Sequence, residues 1–338
     1  MQDPVSPTPK NLDPFGREIA YLRVSVTDRC NLRCLYCAPA AGFMPKDHAE
    51  ILTFEEILRL VRAAVDLGVR KVRLTGGEPL ARRELEDLVA GIAAIPGLAD
   101  LALTTNGVLL AEKAQALFDA GLGRVNVSLD SLDEETFSRI TGRRELSRVL
   151  AGIREAGRVG FAPIKINVVA IAGMNEAEVV DFARLTLDRP VSVRFIELMP
   201  VGRPLGSGPV TGVDTETVKR RIEESLGPLV PLARENGLDG PAERFTLSGA
   251  SGEIGFITPV TGHPCPECNR MRLTADGKLR PCLLSDRELD ARKVLRQGGT
   301  DEDLRALVAG AIAVKPASGP REKGVLSGCA RVMHTIGG

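Results

Sequence analysis

The stretch YLRVSVTDRCNLRCLYC, residues 21–37, decides how this chain is read. Its first half alternates, with Leu22, Val24 and Val26 facing one way and Arg23, Ser25 and Thr27 the other, which is the period of a half-buried strand. Its second half sets Cys30, Cys34 and Cys37 at C-x3-C-x2-C on the loop that leaves that strand. Barrel enzymes keep their chemistry on such strand-to-helix loops. Iron–sulfur clusters are held by thiolates and a four-iron cube takes four, so three cysteines leave one iron open. A zinc ion would need a fourth donor, and the nearest histidine is His48.

Downstream of this stretch, five more strand candidates lie at 71–75, 101–105, 124–129, 164–170 and 191–198, with amphipathic helical stretches between them. One helix starts at Thr53, where Thr53 and Glu56 form a capping box and Phe54, Ile57, Leu58, Val61 and Val65 an apolar stripe; another spans 83–95. Six such units, with no dinucleotide glycine fingerprint after the first strand, predict an α/β fold, a partial (βα)6 barrel and not a Rossmann sheet. Past Pro200 the stretch VGRPLGSGP opens a smaller C-terminal α+β domain. There a helix is expected at 214–226, and a hairpin in MRLTADGKLRPCL turns at Asp276-Gly277. The predicted domains are a flexible tail at 1–15, the barrel at 16–200 and the C-terminal domain at 201–338.

Lys and Arg total 44, as do Asp and Glu, so no charge excess recruits nucleic acid or an anionic membrane. The polar, proline-rich start lacks the pattern of a secretory signal, and no apolar run reaches the ~18 residues of a membrane span, so the cytosol is the expected compartment. Seven cysteines in a reducing compartment point to metal or catalysis.

Besides Cys329, three cysteines remain: Cys265, Cys268 and Cys282, at C-x2-C-x13-C. His263 or Cys329 could complete a zinc site, and spacing alone leaves zinc and iron–sulfur even. Arg270 and Arg272 on one face of the following strand tip the balance, because structural zinc does not require them and an open iron beside fixed guanidinium groups suits an anionic substrate. Further cations sit on strands: Arg23, Lys71, Arg73, Lys165 and Arg194. Buried together without carboxylates they would call for a polyphosphate.

The C-x3-C-x2-C spacing with Tyr36 before the third cysteine resembles the signature of the radical S-adenosylmethionine (SAM) superfamily. Thr75-Gly76-Gly77-Glu78-Pro79 resembles its GGEP motif, and Thr104-Thr105-Asn106-Gly107 and Ser128-Leu129-Asp130-Ser131 fall at matching strand ends. Adding CPECNRMRLT at 265–274, a third cysteine at Cys282 and a Gly337-Gly338 end, the chain resembles the GTP 3',8-cyclase family of molybdenum cofactor biosynthesis. That resemblance implies two 4Fe–4S clusters, one on each cysteine trio, with SAM on the first and GTP on the second. It implies lyase chemistry that converts GTP to (8S)-3',8-cyclo-7,8-dihydroguanosine 5'-triphosphate. Tyr36, Gly77, Glu78, Ser128 and Met199 fall on the SAM side. Arg23, Lys71, Arg73, Thr104, Lys165, Arg194, Arg270 and Arg272 fall on the GTP side, with Thr105 an alternative to Thr104. Arg270, Arg272, Gly337 and Gly338 are the implied catalytic group. His263-Pro264 departs from the family, which commonly has an aromatic before Cys265. A downstream cyclic pyranopterin monophosphate synthase would receive the product, an electron donor is required, and a homodimer is left open. The alternatives are another radical enzyme with an auxiliary cluster, or a non-catalytic metal-binding scaffold.

Overall fold

The alternation of the first strand is realised in β1 (Tyr21–Ser25), where Leu22 and Val24 enter the core while Tyr21 and Arg23 face a cavity on the other side. The structure is a computed structural model, and it describes residues 11–37, 44–199, 201, 210–233, 240–262, 265–319, 321–322, 325–326 and 329–337. Five parallel strands follow in order: β2 (Lys71–Thr75), β3 (Asp100–Thr105), β4 (Arg124–Ser128), β5 (Ile164–Val169) and β6 (Val191–Ile196). All lie within two residues of their predicted ends. Between and after them come α1 (Phe54–Asp66), α2 (Leu85–Ala93), α3 (Leu110–Asp119), α4 (Glu134–Thr141), α5 (Leu146–Val159) and α6 (Val179–Asp188).

The predicted capping box opens α1: the Glu56 N–H donates to the Thr53 hydroxyl at 3.2 Å, and the Thr53 N–H donates to the Glu56 carboxylate at 2.8 Å. The buried stripe of α1 runs through Ile57, Leu60, Val61 and Ala64, rotated from the predicted line, so that Phe54, Leu58 and Val65 are only half-buried. A C-terminal helix packs against α1 and adds a second contact face that local periodicity does not report.

The C-terminal part comprises α7 (Thr215–Leu226), β7 (Val230–Leu232), β8 (Glu243–Thr246), β9 (Glu253–Ile257), β10 (Arg270–Leu273), β11 (Lys278–Arg280), β12 (Leu289–Asp290), α8 (Ala291–Arg296) and the helix on α1, α9 (Asp301–Ala313). Its strands extend the barrel sheet at both edges. The order of the 12-stranded sheet is β12-β11-β10-β1-β2-β3-β4-β5-β6-β9-β8-β7, with β10 parallel to β1 and β9 parallel to β6. Residues of β10, of β1 to β6 and of β9 line one cavity of about 780 Å³, so the sheet curls into an incomplete barrel around it. The predicted hairpin joins β10 and β11 through a turn at Gly277, whose φ of +79° suits glycine.

Of the expected tail, residues 1–10 lie outside the described residues, and residues 11–15 include both buried and exposed positions. Asn11 and Asp13 are buried, and Asn11 Nδ2 donates to the Gly68 carbonyl at 3.2 Å. Most of the VGRPLGSGP stretch also lies outside the described residues; Val201 is described and buried.

Candidate active site

Cys30, Cys34 and Cys37 hang over the cavity from the loop after β1. The loop after β2 stitches this loop in place: the Gly77 N–H donates to the Thr27 carbonyl and the Glu78 N–H to the Arg29 carbonyl, both at 2.7 Å. A Cβ on Gly77 would stand 2.3 Å from the Arg29 oxygen. The GGEP glycine is therefore demanded by the cysteine loop itself. Glu78, expected on the SAM side, has its carboxylate engaged within the protein. It accepts from Leu80 N at 2.9 Å and from Thr105 Oγ1 and Asn106 N at 2.7 Å each, and burial pushes it up to about 7. Asn106 in turn donates to Asn31 at 2.7 Å, inside the cysteine loop.

Tyr36 is likewise committed, donating its hydroxyl to Asp130 at 2.6 Å, while the other Asp130 oxygen accepts from Val169 N at 2.8 Å. Burial holds Asp130 up at about 6 against those two bonds. Ser128 and Met199 line the cavity nearby. Burial also raises the first-trio thiols, Cys30 to about 11 and Cys37 to about 12, with Cys34 well above its ordinary value. The other cysteines add to the rise at Cys34 and Cys37, so the trio shares one small volume. Such thiols become good donors once a metal displaces their protons. Among the described residues no three Cys, His, Asp or Glu side chains close on a single-ion position. A cluster, whose irons each take a separate thiolate, does not need that closure, and the open, cavity-facing loop fits one.

The barrel floor is cationic. Parallel register sets Arg272, Arg23 and Arg73 side by side on β10, β1 and β2, at strand spacings of about 4.8 Å. Burial first, and then Arg272, pull Arg23 well below the usual guanidinium value; burial and Arg270 hold Arg272 at about 10. Arg194, at about 10 through burial and Arg73, has a 3.9 Å approach to Glu253. Lys165 is buried and has no carboxylate partner among the described residues; it is pushed down to about 6 by burial and then by Arg194, Arg124, Arg73 and Lys71. The Arg23 and Arg73 Nε atoms and Thr104 Oγ1 are buried without a hydrogen-bond partner. A cluster of orphaned donors with this charge fits a polyanion.

The neighbouring threonine is accounted for, since Thr105 Oγ1 donates to Glu78 and accepts from Gly107 N at 3.0 Å, which leaves Thr104 as the one whose hydroxyl lacks a partner. Lys71 is corrected: it does not line the cavity, and its ammonium pairs with Asp100 at 3.1 Å, which also takes Arg124. Lys165 lies beside the lining residues and not among them. Tyr21 was missed, although the β1 alternation puts it on the Arg23 face. Its ring stacks under Lys71 and Arg73 at 5.1 and 5.5 Å, and its hydroxyl has no partner.

The second trio flanks β10 and β11, and unlike the first trio none of its cysteines is among the residues that line the cavity. The Cys268 N–H donates to the Cys265 carbonyl at 3.1 Å, closing a turn. Burial resists ionisation of Cys268, yet Arg270 and Lys315 overcome it and bring the thiol to about 6, so this donor is anionic near neutral pH, as metal ligation requires. Arg270 and Arg272 both line the cavity, and Arg272 also donates to the Gly337 carbonyl at 3.0 Å. Gly337, at φ +79°, threads between the ends of β1 and β2, where a Cβ would meet Thr75 Oγ1 at 2.6 Å. Gly338, His263 and Pro264 lie outside the described residues. Cys329 is buried in a small apolar cluster with Val201, Leu284 and Ile336, against which Cys282 packs, and its thiol donates to the Arg331 carbonyl at 3.4 Å.

Residues 24–186 match the Radical SAM superfamily and residues 191–319 match Molybdenum Cofactor Synthesis C. The chain is 48% identical over 326 residues to the GTP 3',8-cyclase of Moorella thermoacetica, covering 96% of this chain and 99% of that one. It is 51% identical over 304 residues to that of Pelotomaculum thermopropionicum, covering 90% and 93%. Streptococcus suis SuiB bound to S-adenosylmethionine shares the fold at a TM-score of 0.61 and 16% identity, over 85% of this chain and 68% of that chain.

Proposed function

The chain belongs to the GTP 3',8-cyclase family of the radical SAM superfamily, and we propose on that premise how its barrel cavity is divided. It is a radical SAM enzyme of molybdenum cofactor biosynthesis, using SAM and an iron–sulfur cluster. Cys30, Cys34 and Cys37 would hold a 4Fe–4S cluster with SAM beside Ser128, Met199, Gly77 and the Tyr36 ring. Cys265, Cys268 and Cys282 would hold a second 4Fe–4S cluster facing GTP. The groups so bound supply one-electron chemistry that removes the 3' hydrogen of the GTP ribose and leads to (8S)-3',8-cyclo-7,8-dihydroguanosine 5'-triphosphate.

One observation carries this reading: Arg23, Arg73, Lys165, Arg194 and Arg272 crowd one buried site where Glu253 is the carboxylate found near any of them among the described residues. Such crowding is strongly unfavourable without an anion, and a triphosphate supplies one. The paired donors of Arg23, Arg73 and Arg272, with the Thr104 hydroxyl, fix the phosphates and so place the ribose under the first trio. Glu78 and Asp130 act behind the site, the first tying the GGEP loop to the β3 loop and the second anchoring Tyr36. The barrel wall excludes water from the reacting carbons. Residues 16–200 would carry the SAM half, and residues 201–338 the second cluster and the Gly337-Gly338 end. An electron donor and a downstream cyclic pyranopterin monophosphate synthase complete the setting. Among the described residues no helix is long and apolar enough to cross a membrane, which supports a cytosolic assignment.

Anaerobically reconstituted protein is expected to hold about eight irons per chain and, with GTP, SAM and a reductant, to yield 5'-deoxyadenosine and a cyclised nucleotide. About eight irons with no consumption of GTP would reject the substrate assignment. About four irons would reject the second cluster.

Lys165 makes the phosphate reading testable by proton linkage. Its folded value of about 6 leaves it mostly uncharged in the empty cavity at neutral pH, and a bound triphosphate favours the charged form. Binding at pH 7.5 should therefore take up a proton, and affinity should fall as pH rises above about 6, by at most about tenfold per pH unit. Calorimetry of GTP binding in buffers of different ionisation enthalpy should show that uptake in wild type and its loss in Lys165→Met. Identical proton counts in both would remove Lys165 from the site.

A further inference from the structure

Directly after α9 stands a lysine that the reaction scheme leaves unused. Lys315 is 3% exposed. Its Nζ donates to the Arg270 and Pro281 carbonyls, each at 2.7 Å, and to Cys268 Sγ at 3.6 Å. An ammonium has three N–H bonds, and these three acceptors account for them. None is a carboxylate. A buried cation facing only neutral dipoles is strongly disfavoured, and of the three acceptors only the cysteine sulfur can become an anion, as it does on binding a metal.

Arg17 offers a comparison within the same region. It is also buried, but Asp13 neutralises it at 2.6 Å, and its remaining nitrogens hold the Cys265, Pro316 and Ala317 carbonyls at 2.7, 2.6 and 3.0 Å. The two cations thus gather the backbone on both sides of the trio: Cys265 by Arg17, and Arg270 and Pro281, which precedes Cys282, by Lys315. Arg17 brings its own counter-ion. Lys315 does not, and its place is taken by Cys268.

We infer that Lys315 is a positioning residue of the second cluster, holding the segments that bear Cys268 and Cys282 together and donating a charged hydrogen bond to the Cys268 thiolate. This rests on the proposal that the second trio binds an iron–sulfur cluster. Hydrogen bonds and positive charge at a cluster sulfur favour its reduced, more negative state, so Lys315 raises the reduction potential of that cluster and leaves the first cluster alone.

The test uses anaerobically reconstituted full-length protein as wild type, Lys315→Met and Lys315→Arg, with iron analysis and redox titration of each cluster followed by electron paramagnetic resonance. SAM cleavage without GTP reports whether the barrel has folded. The Met variant should keep that cleavage while its second cluster shifts to lower potential or is lost, taking iron from about eight to about four per chain. The Arg variant, which keeps the charge, should fall between Met and wild type. A second cluster at wild-type potential and full occupancy in the Met variant would overturn the inference, as would equal damage in Met and Arg. A wild-type protein with only about four irons would instead overturn the second-cluster reading on which the inference stands.

Discussion

Replacing Gly77 by alanine is expected to empty the first cysteine trio and abolish SAM cleavage. The new Cβ would lie 2.3 Å from the Arg29 carbonyl oxygen, 2.6 Å from its carbon and 2.8 Å from the Asp28 oxygen. All three are backbone atoms on the cysteine loop, so no side chain can swing aside to relieve the clash. The two strands of contact are also tied by the bonds from Gly77 N and Glu78 N, each 2.7 Å long. The loop must move, and Cys30, one residue past Arg29, moves with it. Iron should fall to about half of wild type with 5'-deoxyadenosine undetectable, while the second cluster remains. Gly173→Ala is the control: a glycine at φ +70° with no atom within 4 Å of its would-be Cβ, so the methyl group adds backbone strain without a clash. Full first-cluster occupancy in Gly77→Ala would show that the loop accommodates a methyl group and that the stitching does not hold the trio.

The barrel was legible because its strands carry a period-two signal that the core enforces: Leu22 and Val24 outward, Tyr21 and Arg23 inward, with parallel register copying that choice to Arg73 and Arg272. What local pattern could not report was anything set by partners distant in sequence. Lys71 shares a face with Arg73, yet its position opposite Asp100 at the β2–β3 register turns it into an ion pair below the cavity. Thr104 and Thr105 alternate in facing, and only the Glu78 carboxylate shows which one is occupied. The tight neighbour of the GGEP glycine, the Arg29 backbone, lies on another loop and leaves no mark in the local pattern. The C-terminal strands were expected as a smaller α+β domain, and their docking on both β1 and β6 has no local signature. Lys315 sits in a loop with no periodicity, and only the three acceptors around its ammonium reveal it.

Arg272→Ala is expected to weaken GTP binding strongly while sparing the first cluster. The side chain is buried in the cavity wall, in register with Arg23, and one nitrogen donates to the Gly337 carbonyl at 3.0 Å. Losing a charge-assisted contact to phosphate costs about 1.5 to 3 kcal/mol, roughly 10- to 150-fold in affinity. Turnover should fall further, because the Gly337 segment loses its tether and a small displacement of the ribose from the first trio slows hydrogen removal more than it weakens binding. SAM cleavage without GTP should stay near wild type. Stability gives an independent check. Without ligand the substitution deletes one of several crowded like charges and orphans one carbonyl, so the two changes oppose each other and the melting temperature should barely move. Arg272→Lys should recover part of the affinity, keeping the charge but not the planar pair of donors. Calorimetric GTP affinity, turnover and thermal melting of the three proteins separate these effects. Wild-type GTP affinity in the alanine variant would detach Arg272 from the phosphates, and unchanged turnover would remove its hold on the chain end from the mechanism.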